Sequence, residues 1–275
     1  MAQVSEICRN NPTLLRVAGG VVVVTAGLYV CRRLLKRNAR EKKVYPLNTV
    51  ILHQIGRGPY APSMTPFAVK LETYLRMARI PYQNEHDSRK SSKGKVPWIE
   101  YNGQSVADSA FCITYLNQVY GIDFHAKLTP VQALVLQKWV HELDVGFIMS
   151  SRSLPLAPLY IRYKISPMIK RYAWCQGMGR HSREEVLDIA RKDLTAIADY
   201  MGEKKFLMGD EPCETDCTVF GMLSQLYWHS PTQRIGKIFR EEFPSLVAYC
   251  DRMKKTFWPD WDQCITHGGT REATS

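Results

Sequence analysis

Lys95-Val96-Pro97-Trp98-Ile99-Glu100-Tyr101-Asn102-Gly103-Gln104-Ser105-Val106-Ala107-Asp108-Ser109 is the stretch on which the fold turns. Asn102-Gly103 divides two short strand-like runs, and Asn-Gly tolerates the successive positive φ angles of a tight type I′ hairpin. Asp108-Ser109 then supplies a helix cap, with the helix running to about residue 119. Upstream, residues 49–53 (TVILH) form an apolar, β-branched run that reads as a buried strand. Residues 54–64 carry two glycines and two prolines and read as a loop. Residues 66–78 place Phe67, Val69, Leu71, Tyr74, Leu75 and Ala78 at helical spacing, with Thr65 suited to the N-cap and Pro66 to the first turn. A second strand fits 81–85, and 87–95 is polar and basic, too short for a full helix. The order is strand, helix, strand, hairpin, helix.

Downstream of residue 128 the pattern is helical: 130–150, 156–175, 182–201, 216–227 and 244–258, with a glycine-containing break at 176–181. Ser182-x-x-Glu185 has the form of a capping box. A mixed α/β half followed by an all-α half predicts two packed subdomains.

Residues 17–31 read VAGGVVVVTAGLYVC and carry no charge. With Thr13, Leu14 and Leu15 the run reaches about 19 positions, close to the ~20 that span a bilayer, and Arg16 can snorkel at its outer boundary. The rival reading is a cleavable signal peptide. Charge is heaviest after the apolar run, and Cys31-Arg32-Arg33 makes a poor cleavage site, so one transmembrane helix is expected.

The chain's formal net charge is +11, and over half of it falls in residues 32–43, where Arg32, Arg33, Lys36, Arg37, Arg40, Lys42 and Lys43 face one acid, Glu41. Basic flanks lie on the cytoplasmic side, which puts the large domain in the cytoplasm. The basic run is either purely topogenic or a further attraction for anionic lipid. Cys31, at the membrane edge, is open to palmitoylation or stays unmodified. The rest of the chain is only mildly basic, with no basic face interleaved with aromatics, so nucleic acid is not expected as a partner. The eight cysteines include no C-x-x-C, the seven histidines form no metal-ligand pattern, and no usable N-x-S/T acceptor is present. These point to a reducing compartment and to no metal. The membrane itself stays open among mitochondrial outer membrane, endoplasmic reticulum and plasma membrane.

Three motifs carry a resemblance. They are Lys95-Val96-Pro97, then Ala107-Asp108-Ser109-x-x-x-Ile113, then Phe206-Leu207-Met208-Gly209-Asp210 followed by Asp216. Together they resemble the glutathione transferase fold, with a thioredoxin-like β-α-β-β-β-α half and a helical half. Tyr74-Leu75-Arg76-Met77-Ala78, Pro81-Tyr82-Gln83-Asn84, Thr218-Val219-Phe220-Gly221 and Phe257-Trp258-Pro259-Asp260-Trp261 narrow it to the failed axon connections family, in the metaxin-like branch. The likeness covers roughly residues 48–262. The expected organisation is an N-terminal segment and anchor at 1–31, a basic stalk at 32–47, a thioredoxin-like domain at 48–124, an all-helical domain at 125–262 and a tail at 263–275.

The resemblance implies a membrane-associated protein linked to axon development and able to hold glutathione. It implies a cis peptide before Pro97 that leaves the Val96 backbone open to a peptide, and a grip on the γ-glutamyl end by Asp108 and Ser109. A helix N-terminus suits the ligand's carboxylate, and an acidic side chain suits its ammonium. Lysines of 87–95, Lys95 among them, can attract the glycine carboxylate. Activating the thiol needs a donor near the first helix. Thr65 stands where one transferase class has cysteine, so mixed-disulfide chemistry is disfavoured. Ser63 or Thr65 can still donate to a thiolate, Tyr60 is a weaker candidate, and Thr65 also reads as a plain cap. Cys213 replaces the usual Ser or Thr cap before Asp216, so Glu214 or Thr215 is expected to take over. Two functions follow: a glutathione-binding enzyme using a Ser/Thr hydroxyl, or a non-catalytic adaptor for a protein partner or homodimer at a membrane, whose lipid is itself a partner.

Overall fold

The structure, a computed structural model, describes residues 29, 43–87, 89–122, 124, 163, 166–175, 177–230, 232–269 and 273–275. The expected anchor and stalk fall almost wholly outside these, as does the helix expected at 130–150. Among the described residues no helix is long and apolar enough to cross a membrane. Leu47–Ser275 forms one compact unit.

Its first half has the expected order: β1 (Val50–His53), α1 (Pro66–Met77), β2 (Tyr82–Glu85), β3 (Trp98–Tyr101), β4 (Gln104–Ala107) and α2 (Ser109–Tyr120). The four strands lie in the order β2-β1-β3-β4. β1 and β2 are parallel with Val50 opposite Tyr82, and the crossover that parallel pairing requires is α1. β3 runs antiparallel to β1, with His53 opposite Trp98. β3 and β4 are antiparallel with Tyr101 opposite Gln104. Asn102 and Gly103 both have positive φ, 45° and 82°, as the hairpin reading required. Val50, Leu52 and Ile99 meet Leu71, Tyr74 and Leu75 of α1 and Cys112, Ile113 and Leu116 of α2 in one core.

The second half contains α3 (Ser166–Cys175), α4 (Arg183–Met201), α5 (Glu214–Tyr227), α6 (Arg234–Glu242) and α7 (Pro244–Phe257). The Ser182–Glu185 capping box is formed in both directions. Helix α6 was missed in the sequence, although Ile235, Ile238 and Phe239 recur at i, i+3 and i+4, and all three are buried. The expectation for Cys213 also needs correction. Cys213 itself is the N-cap of α5, and neither Glu214 nor Thr215 replaces it. The wholly buried Asp216 does the capping work, accepting from Cys213 N at 2.8 Å, Leu207 N at 2.9 Å and Tyr249 Oη at 3.0 Å. With the Cys213 thiol donating at 3.2 Å as a fourth partner, these donors replace the hydration that burial removes.

The halves meet where α5 crosses α1. A Cβ on Gly221 would lie 2.6 Å from Pro66 O and 3.1 Å from Lys70 N, so only glycine permits this backbone approach. Beside the crossing lies Glu72, also wholly buried. Its carboxylate accepts from Arg57 at 2.7 and 2.9 Å, Gln54 at 2.8 Å, Asn84 at 3.0 Å and Tyr82 Oη at 3.1 Å. Burial alone would raise its pKa, but Arg57, with Gln54 and Arg76, outweighs that and holds it below the usual carboxylate value. Arg76 extends the network, binding Asp260 at 2.5 and 2.9 Å and lying 3.9 Å over the Trp258 ring.

The loop between β1 and α1 is pinned from the far end of the chain. Thr266 N donates to Gly58 O at 2.9 Å and Gly268 N to Pro59 O at 3.0 Å. Ala61 N donates to Nε2 of the buried His229 at 3.2 Å, while His229 Nδ1 lies 2.9 Å from Gln225 Oε1. Nε2 therefore carries a lone pair and the ring is neutral, and burial pushes its pKa down to about 4.

Two outcomes follow from this packing. Gly221→Ala will lower the unfolding free energy by about 1–3 kcal/mol, because overpacking exceeds the ~1 kcal/mol that Ala gains in helix propensity. A urea midpoint that stays constant or rises would show that α1 and α5 do not approach as described. His229 must take up a proton on unfolding at any pH below its unfolded value near 6.5, so stability falls as pH drops from there towards 4. The loss approaches about 3 kcal/mol at the lower end. Urea midpoints at pH 7 and 4.5 measure it, and His229→Gln should flatten the dependence. Glu72 acts in a lower window, its contribution persisting above about pH 4.5 and disappearing only as pH falls through its depressed pKa.

Candidate functional site

The peptide Val96–Pro97 is cis, as the motif led us to expect, and β3 starts directly after it at Trp98. Trp98 is placed by stacking on His53, with ring centroids 3.9 Å apart and planes 10° from parallel. The described residues of the 86–97 connection contain no helix. Arg89 secures it to the sheet: Nη2 lies 3.2 Å from both His53 ring nitrogens and 3.3 Å from Glu100, and Trp98 Nε1 donates to Arg89 O at 2.7 Å. Burial lowers the His53 pKa and Arg89 lowers it further, against the opposing pull of Glu100, Asp87 and Glu85. His53 is thus a packed, neutral member of the sheet, and Arg89 is a supporting residue that the sequence did not single out.

Asp108 follows β4 and caps α2, its side chain accepting from Ala110 N at 3.1 Å. Its backbone has φ 84° and ψ 127°, a region that a non-glycine residue enters only when its surroundings force it. Lys95 Nζ reaches its Oδ2 at 2.5 Å. Two of the expected ligand contacts, Lys95 and Asp108, are therefore paired with each other. Burial acts to raise the Asp108 pKa, but the Lys95 bond, the Ala110 N–H and the charges of Lys95 and Lys70 bring it below the ordinary value. Ser109, the first residue of α2, is buried. Lys70, on α1, is a second cation felt at Asp108, and burial lowers its own pKa. It too escaped the sequence reading, because it looks like an exposed interruption of an apolar helix face.

The expected thiol activators sit at the start of α1. Thr65 is the N-cap, its Oγ1 accepting from Ala68 N at 3.2 Å, which leaves the hydroxyl proton available to a further acceptor. Ser63 is wholly buried: Thr65 N donates to its Oγ at 3.4 Å, and Gln225 Nε2 donates to its carbonyl at 3.3 Å. Tyr60 stands by the chain's far end, where a Cβ on Gly268 would come within 2.8 Å of its hydroxyl. Chemically, the arrangement offers a carboxylate for an ammonium, a helix N-terminus and two lysines for carboxylates, and one half-buried hydroxyl. No group of three or more His, Cys, Asp or Glu among the described residues is placed to hold a metal ion.

Comparison with known proteins fits this geometry. The family profile of the glutathione S-transferase N-terminal domain matches residues 66–147, and that of the glutathione S-transferase C-terminal domain matches residues 190–253. The chain is 30% identical over 261 residues to Failed axon connections of Drosophila melanogaster, an alignment covering 82% of this chain and 62% of that protein. It thus spans somewhat under two thirds of that relative's length. It is 26% identical over 224 residues to the isoprene-epoxide glutathione S-transferase of Rhodococcus sp. strain AD45, covering 71% of this chain and 94% of that one. A glutathione transferase from Phanerochaete chrysosporium shares the fold, with a TM-score of 0.55 at 16% identity over 76% of this chain and 97% of that one. With a thioredoxin-like sheet, a cis-proline before β3 and a helical second half, the chain belongs to the glutathione S-transferase superfamily.

Proposed function

We propose that the chain is a membrane-anchored, glutathione-binding protein of the failed axon connections type. The observation that carries the binding is Asp108: a carboxylate held in a strained conformation at a helix N-terminus, directly beyond the strand pair opened by the cis-proline. The ammonium of a γ-glutamyl group meets the Asp108 carboxylate beside Lys95, and the adjacent carboxylate meets the N-terminus of α2 at Ser109. The Val96 backbone pairs with the peptide, and Lys95 and Lys70 add positive charge. The Thr65 hydroxyl donates a hydrogen bond to the ligand's sulfur, keeping its proton, and favours thiolate. Ser63 supports this from beneath, through Thr65 N.

Isothermal titration of glutathione into the full chain in detergent will show binding at millimolar ligand or tighter. Heat without a binding isotherm at that concentration would defeat the proposal. Asp108→Ala should weaken binding by about tenfold or more, equivalent to ~1.4 kcal/mol, and an unchanged affinity would remove Asp108 from the site.

A second reading, a non-catalytic adaptor for a protein partner, is favoured by the burial of Ser63 and by the use of Thr65 as a cap. Glutathione binding with no conjugation or isomerisation turnover, equally absent in Thr65→Val, selects it. The anchor at 13–31 and a cytoplasmic orientation complete the proposal, and protease added to intact organelles should digest the large domain. Full protection would reverse the topology. The axonal role rests on likeness to the Drosophila protein. Its test is whether this chain restores axon tracts in embryos lacking that protein.

A further inference from the structure

The tip of the connection between β2 and β3 is a closed turn. Ser91 N donates to Lys95 O at 3.0 Å, Gly94 N donates to Ser91 O at 2.9 Å, and Lys95 N donates to Ser91 Oγ at 3.1 Å. Gly94 has φ 71°, which lets the turn reverse within five residues. Ser92 and Lys93 form its exposed apex. The two serines differ: Ser91 Oγ is engaged, whereas Ser92 Oγ has no hydrogen-bond partner among the described residues. Residues 89–95, RKSSKGK, contain four cations and no acid. Arg89 is shared with Glu100 and Asp87, so exposed Lys90 and Lys93, immediately flanking the serines, are the cations an incoming protein meets first. Lys95 closes the turn and at the same time neutralises Asp108 at 2.5 Å.

We propose that Ser92 is a phosphorylation site for a protein kinase with an acidic peptide groove, and that the phosphate draws Lys95 away from Asp108. In the transfer, Ser92 Oγ attacks the γ-phosphorus of a nucleoside triphosphate. The Oγ–P bond forms as the bond to the β-phosphate oxygen breaks, the hydroxyl proton passes to the kinase's base, and the nucleoside diphosphate leaves. The product carries close to two negative charges and three strong acceptors at the apex of a turn that otherwise holds only cations. Lys93 flanks it, and Lys95 is three residues away across the closed turn, so a phosphate–lysine pair competes directly with the Lys95–Asp108 pair. Asp108 then loses its partner at the mouth of the candidate site. The phosphate transfer stands independently of glutathione binding, because it is read as a mass change on the protein alone.

The test is incubation of the full chain in detergent with magnesium–ATP and the catalytic subunit of cyclic-AMP-dependent protein kinase, a probe with an acidic peptide groove. Mass spectrometry should place a phosphate on Ser92, retained in Ser91→Ala and lost in Ser92→Ala. Lys90→Met should slow incorporation by about tenfold, as expected for a lost charge-assisted contact. Absence of incorporation, or incorporation unaffected by Ser92→Ala, overturns the site. For the second half, hydrogen exchange over residues 108–112 should quicken in the phosphorylated protein. Lys95→Met, which removes the ion pair beforehand, should abolish the difference. Exchange that is identical with and without phosphate overturns the link to Asp108.

Discussion

Helix α1 touches the sheet on one side and α5 on the other, and at Gly221 the two helix backbones come too close to admit even a β-carbon. That contact fixes the distance between the halves. It also determines what the neighbouring side chains must be. With no room for a spacer, the charged groups caught between the halves turn to one another. Glu72 accordingly has partners from the β1–α1 loop, from β2 and from its own helix, and Arg76 reaches across to Asp260. Removing one partner of such a set leaves a charge in a dry interior, which costs more than the net worth of the pair. The network therefore holds the loop, the sheet and the helical half to a single arrangement.

Local features were legible in the sequence because their causes are local. The Asn102-Gly103 turn, the Thr65, Asp108 and Ser182 caps, and the periodicities of the four strands and of α1, α2, α4, α5 and α7 each depend on a few neighbouring residues, and each appears close to where the chain predicted it. The ties between elements were not legible. Glu72 looks like an ordinary helical acid until Arg57 is seen beside it, and Arg76 meets Asp260 from 184 positions away. Lys70 and Arg89 were passed over for the same reason. Cys213 marks a different failure, because the substitute cap was expected from Glu214 or Thr215 and the bond came instead from Asp216, three positions after the cap. Helix α6 was overlooked between two stronger signals, although its apolar spacing was present.

The candidate site shows the same division. Its motif residues were found in the sequence, but their relations were not: Lys95 and Asp108 were read as separate ligand contacts and form an ion pair. A site whose acid is already matched by its own base exchanges partners on binding, so affinity depends on the difference between two ion pairs. Thr65 likewise serves two masters, with one lone pair committed to Ala68 N and its proton still to place.

The backbone bonds from Thr266 and Gly268 to Gly58 and Pro59 have a consequence for the order of events during synthesis. The loop that leads into α1 is made early, yet the residues that pin it are translated roughly 200 codons later. At ~5–20 residues per second, the nascent sheet waits on the order of ten to forty seconds before its loop can be clamped. For the larger part of that interval, until α5 is made, the first half leaves the ribosome with the face of α1 that α5 will cover still bare. A chain that stalls before α5 emerges presents an apolar helix face to its surroundings, and the loop leading into that helix is clamped only when the last residues arrive.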